Sequence, residues 1–125
     1  MAQVIMRRNI VEDAITNLRS PDFETRRSAL NTIQMYLFPN SPMDGQLTGD
    51  RETRARAVQA LIGALQRDSR PEIREAAANA MRFVKAPEVL PALRSAAAHD
   101  SSEQVRNTAQ ETLRQIEIAS VPRRQ

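Results

Sequence analysis

Residues 68–116 read DSRPEIREAAANAMRFVKAPEVLPALRSAAAHDSSEQVRNTAQETLRQI, and the stretch says nearly the same thing twice. Asp68, Ser69, Glu72, Ile73, Arg74, Ala77, Met81 and Val84 pair with Asp100, Ser101, Gln104, Val105, Arg106, Ala109, Leu113 and Ile116, always 32 positions apart. A fixed offset with matching residue types marks stacked supersecondary units, each too small to bury its own apolar face. Moving back by 32 from Val89, Leu90 and Leu93 reaches Ala57, Val58 and Leu61, so the repeat extends toward the N-terminus. Arg26, Ala29, Ile33 and Tyr36 match Arg74, Ala77, Met81 and Val84 at an offset of 48, which is 32 plus 16.

The apolar spacing around that repeat is helical throughout, and no alternating strand pattern appears. Helix 1 is predicted from about Val4 to Arg19, with Ile10, Val11, Ala14, Ile15 and Leu18 on one face. Ser20 is read as the cap of helix 2, with Pro21 at its first position and its end near Phe38. Residues 39–50, PNSPMDGQLTGD, carry two prolines, two glycines and an Asp-Gly turn signal, so they form one long loop that accounts for the extra residues in the larger offset. Asp50 is a candidate cap for helix 3, and Ser69 with Glu72 and Ser101 with Gln104 fit the capping-box pattern for helices 4 and 6. Helix 4 is expected over about 70–85, helix 5 is opened by Pro87, helix 6 covers about 102–119, and residues 120–125 form a frayed basic tail. The expected fold is all-α, a short α-solenoid of about three stacked antiparallel helix pairs within one domain, residues 1–119.

Composition narrows the chemistry. The 125 residues hold no cysteine, which excludes disulfides and thiolate metal sites. An apolar run near the N-terminus precedes Arg7 and Arg8, the reverse of a leader's order, and no stretch reaches membrane-spanning length, so a cytoplasmic location is expected. The pI of about 10.5 contrasts with a net charge of only +3. The contrast arises because 17 of the 18 basic residues are Arg, which keeps its charge to high pH. With three Phe, one Tyr and no Trp, few platforms exist for stacking bases, and nucleic acid is a weak expectation.

The phrases DSRPEIREAAANAMRFVKAPEVLPALRSAAAHD and DSSEQVRNTAQETLRQI resemble HEAT-like repeats, in particular the type named after phycobilisome lyases. The resemblance is specific over residues 51–116, weaker over 10–37 and absent from the loop. It implies a right-handed superhelical stack with helices 3 and 5 lining a concave side and helices 2, 4 and 6 a convex one. It also implies that the recurrent Asp68 and Asp100 form a ladder between repeats with Arg26, Arg74 and Arg106, a structural role for all three arginines.

Recognition is then expected on the outward residues of helices 3 and 5: Arg54, Arg56, Gln59, Gln66 and Arg67, with Arg94 and His99 at neighbouring heights. This basic and polar strip suits an acidic segment of another protein. His99 is the single histidine, and without a nucleophile or pocket signalled beside it, it reads as a solvated residue closing helix 5. No catalytic residue, cofactor or metal ligand is assigned. The expected function is a non-enzymatic adaptor that holds a partner protein on its concave helices and long loop. The alternatives are an accessory subunit or chaperone of a bilin lyase or a phycobilisome-turnover factor and, third, nucleic-acid binding through the arginines of helix 3. The ends of so short a stack are expected to be covered by self-association or a larger complex, with Ile116, Ile118 and Val121 marking the C-terminal end.

Overall fold

The structure, a computed structural model, describes the backbone of residues 2–37, 51–84 and 86–120 and the side chains from residue 10 to residue 118 within them. The 39–50 loop, the Asp50 cap, Lys85 and residues 121–125 of the tail lie outside the described residues.

Those residues form six α-helices and no strand: α1 (Ala2–Asn17), α2 (Phe23–Leu37), α3 (Arg51–Arg67), α4 (Pro71–Ala80), α5 (Val89–His99) and α6 (Glu103–Ser120). Successive helices pack as antiparallel pairs, α1 on α2, α3 on α4 and α5 on α6. Across pairs, α1 meets α3 and α3 meets α5, while α2 meets α4 and α4 meets α6. The result is two parallel layers of helices with the core between them. That core is the apolar set read from the spacing, Val11, Ile33, Leu37, Leu61, Leu65, Ile73, Met81, Leu93 and Val105 being almost wholly enclosed. Full burial of each such side chain contributes about 1.5–3 kcal/mol, and helices of 10 to 18 residues gain most of their stability this way.

The layers are not packed alike, because α4 and α6 meet over more of their length than α3 and α5 do. The small side chains of Ala77, Ala78 and Ala80, all buried, remove the bulk that would hold α4 off its neighbours.

Most helix ends differ from expectation by one or two residues, and the end of α4 by five, with chemical reasons. Asp22, and not Ser20, caps α2: its Oδ2 accepts from the Thr25 N–H at 2.9 Å and the Thr25 hydroxyl at 2.7 Å. Those two bonds, the hydroxyl's first, hold the Asp22 carboxyl below its ordinary range. Ser102, not Ser101, faces the first turn of α6, its Oγ accepting from the Val105 N–H at 3.4 Å. At the matching start of α4 stands Arg70, which makes no side-chain cap, and Pro71 takes the first turn. Helix α4 also ends early, passing at Met81 into a 3₁₀ turn (Met81–Phe83) in which the Val84 N–H reaches back to the Met81 carbonyl at 3.1 Å. The tightening keeps Met81 and Val84 buried.

Two arginine rungs stitch the pairs together. Arg26 of α2 donates from Nε to Asp68 Oδ2 at 2.8 Å and from Nη2 to Oδ1 at 3.2 Å, while its Nη1 holds the Ser20 carbonyl at 3.0 Å. Arg74 of α4 does the same one repeat later, to Asp100 at 2.9 and 3.0 Å and to the Asp68 carbonyl at 2.9 Å. Each arginine thus clamps its own turn and the next one. The side chains are nearly enclosed, 11% and 4% exposed in the first rung and 13% and 8% in the second, so the bidentate bonds form at low dielectric. Burial, the largest influence on Asp100, pushes its carboxyl up. The bonds from Arg74 and the Ser102 N–H, with the charges of Arg74 and Arg106, outweigh it and leave the group below its ordinary range. The Arg70 guanidinium stacks 4.0 Å from the Phe23 ring, adding a cation–π contact to the first seam.

Candidate functional site

The C-terminal ends of α1, α3 and α5 are brought into one row by the stacking. Arg67 and His99 are the last residues of α3 and α5 and Arg19 follows α1 by two residues, and the three occupy one repeat position, related by 48 and 32 residues. An arginine there stands at the negative end of a helix dipole, which gives its recurrence at the first two positions a local cause. At the first two members of the row the surface sinks into a groove between α1 and α3, with a volume of about 480 Å³.

The floor of this groove is apolar. Ile15 of α1 and Leu18 in the turn just after it are half-buried against the core and face Ala60 and Ala64 of α3 across it. The rim is cationic, with Arg19 on one side and Arg56, Gln59 and Arg67 on the other. Gly63 shapes it: a side chain there would begin only 3.0 Å from Arg67 Nη2, so the guanidinium lies over bare backbone. Among the described residues neither Arg19 nor Arg67 makes an ion pair, and both are exposed.

Arg56 is differently placed. Its guanidinium binds Glu12 of α1 and approaches Glu52 of its own helix at 3.4 Å, and Glu12 also accepts from the Thr53 hydroxyl at 3.3 Å. Arg56 therefore ties α1 to α3 at one end of the groove. Of the residues singled out from sequence, the structure gathers Arg56, Gln59 and Arg67 here. Gln66, Arg94 and His99 are exposed but lie away from the groove, and Arg54 is half-buried and already partnered. Sequence reasoning passed over Arg19, Ile15 and Leu18. The signal for Arg19 was available, since the 48-residue offset carries it onto Arg67.

On the opposite layer, a more open groove between α4 and α6 has the other sign, with Glu72, Glu75 and Glu111 among its walls. Its acids are locally engaged: Glu75 accepts from the Thr108 hydroxyl at 3.1 Å. Glu111 is held below the ordinary range, first by the Gln115 amide and next by the charge of Arg114. Among the described residues, no three His, Asp or Glu side chains converge as a metal site, and no helix is long and apolar enough to cross a membrane.

The family model described as HEAT repeats matches residues 11–114. The match is to the repeat class as a whole and does not by itself show the phycobilisome-lyase type. No curated protein and no solved structure matches the chain.

Proposed function

Because the chain belongs to the HEAT-repeat family, we propose that it is a non-enzymatic interaction module that docks an acidic segment of a partner protein in the α1/α3 groove. HEAT repeats commonly mediate protein–protein contacts, and the local chemistry suits that use. The observation that carries the reading is the pair Arg19 and Arg67, two cations without an ion pair among the described residues, on either side of an apolar floor. A carboxylate between them gains charge-assisted hydrogen bonds, and a neighbouring apolar side chain seats on Ile15 and Leu18. The long loop leads into α3 and is assigned a share of the same contact. A place in the cytoplasm belongs to the same proposal.

The test is affinity capture with wild type, an Arg19→Glu/Arg67→Glu variant and Arg94→Glu as a control on another repeat, with bound proteins identified by mass spectrometry. The double reversal is expected to lower affinity for the captured partner by about tenfold or more, equivalent to roughly 1.4 kcal/mol, with helicity unchanged. Equal capture by all three forms would remove the groove as the recognition surface. A role beside a bilin lyase rests on the resemblance alone, and a shift in visible absorbance on mixing with a linear tetrapyrrole would favour it. A steep fall of affinity for oligonucleotides with salt would favour nucleic acid instead.

A further inference from the structure

The third arginine of the ladder stands at an unfinished rung. Arg26 and Arg74 each hold a backbone carbonyl with Nη1 and a neighbouring carboxylate with Nε and Nη2. Arg106 makes only the first half, Nη1 donating to the Asp100 carbonyl at 2.7 Å. Among the described residues no carboxylate meets its remaining fork. The apolar positions on the same helix are incomplete in the same sense. Leu113 and Ile116 occupy the template places of Met81 and Val84, which are 0% and 6% exposed, yet both are only half-buried, and Ile118 beyond them is 63% exposed. The edge formed by α6 resembles an interior seam with one side taken away.

We propose that this C-terminal edge docks a second protein that presents an aspartate in the turn before a helix, with its carboxylate placed as those of Asp68 and Asp100 are. The two interior rungs define that placement. Asp68 Oδ1 accepts from the Arg70 N–H and Asp100 Oδ1 from the Ser102 N–H, both at 2.9 Å, so each carboxylate is fixed by its own turn before the arginine reaches it. A preorganised carboxylate loses little freedom on meeting the Arg106 fork. A second copy of these repeats stacked head to tail does not meet this requirement, because the turn before α2 carries Ser20 where the ladder has Asp. The Ser20 hydroxyl accepts from the Asp22 N–H at 3.1 Å and so reproduces the turn, but it brings no charge. The outer residues of α6 between the anchors, Gln110, Arg114 and Glu117 among them, are polar, which fits a reversible contact better than a permanent one.

Ser20→Asp supplies the missing carboxylate from the protein itself, in a turn that already has the right hydrogen bond. The donor is the full chain carrying Ser20→Asp and Arg106→Gln, which offers the aspartate but has lost its own fork. Sedimentation velocity is run on this donor mixed with wild type and, separately, with the Arg106→Gln single variant, each checked for helicity. The donor is expected to form a one-to-one complex with wild type about tenfold tighter than with Arg106→Gln, and the difference should shrink at high salt. Equal behaviour of the two mixtures would overturn the proposal. Self-association of wild type alone, abolished by Arg106→Gln, would overturn the choice of a separate chain in favour of a second copy.

Discussion

The seam between α1/α2 and α3/α4 and the seam between α3/α4 and α5/α6 carry the same stitch and different surfaces. Arg26 reaches Asp68 across 42 residues of chain, and Arg74 reaches Asp100 across only 26, yet the contacts are closely similar, 2.8 and 3.2 Å against 2.9 and 3.0 Å. The insertion between α2 and α3 leaves no mark on the rung, as expected if long loops cost little once the ends are fixed by other contacts. What changes is the side chains between the odd-numbered helices. Ile15 of α1 and Leu18 just after it correspond by the 48-residue offset to Gly63 and Gln66 of α3, and the larger apolar pair forms the floor of the α1/α3 groove. The difference separates two tasks within one repeat: positions that join repeats are held constant, and positions that do not are free to make a recognition surface.

If the two stitches are equivalent, removing either arginine should cost about the same. Arg26→Ala and Arg74→Ala each leave a nearly enclosed aspartate without its partner, which typically destabilises by about 3 kcal/mol. Urea unfolding followed by circular dichroism measures both, and a cost for Arg26→Ala below about a third of the other would break the equivalence. Acid should strike the second seam in a definite direction. The Asp100 carboxyl is lowered in the folded protein, so its contribution is complete above the unfolded value of about 3.9 and is lost as pH falls through the folded one. Urea midpoints taken downward from pH 6 should fall more steeply below about pH 4 in wild type than in Asp100→Asn.

Smaller effects sharpen the contrast between the interior helix α4 and the terminal helix α6. Thr112 sits where α4 has Ala80, fully buried, with its hydroxyl oxygen lacking a hydrogen-bond partner. Thr112→Val keeps the shape and removes the stranded group, and is expected to raise stability by about 1 kcal/mol. Gly63→Ala should give the smallest change, a gain of about 0.5 kcal/mol, because the helix-propensity benefit is offset by displacing the end of the Arg67 side chain. The same substitution should weaken any ligand held by Arg67. Binding unchanged by Gly63→Ala would place recognition away from that guanidinium.

The repeat, its helix pairing and its buried set were legible in the sequence because each rests on periodic residues counted along one chain. The Asp–Arg rungs followed from the same register together with the family resemblance. The helix caps were less legible. Ser101 and Ser102 are chemically identical neighbours, and only the turn through Asp100 decides that Ser102 faces α6 while Ser101 takes a weak bond from Arg74 at 3.4 Å. The pairing of Arg56 with Glu12 joins residues 44 apart on helices whose relative height no periodicity supplies, so a residue read as free proved committed. Arg19 was hidden because helix 1 has no counterpart at the 32-residue offset, and Arg67 matches it only once the inserted residues are subtracted.

The double grip of each stitching arginine also bears on how the molecule opens. Since one guanidinium holds the carbonyl of its own turn and the carboxylate of the following one, a turn cannot loosen without releasing its neighbour. Deuterium uptake at the Asp68 and Asp100 turns should therefore rise together in mild denaturant, as one event spanning both, while the backbone beyond Arg106 exchanges on its own schedule.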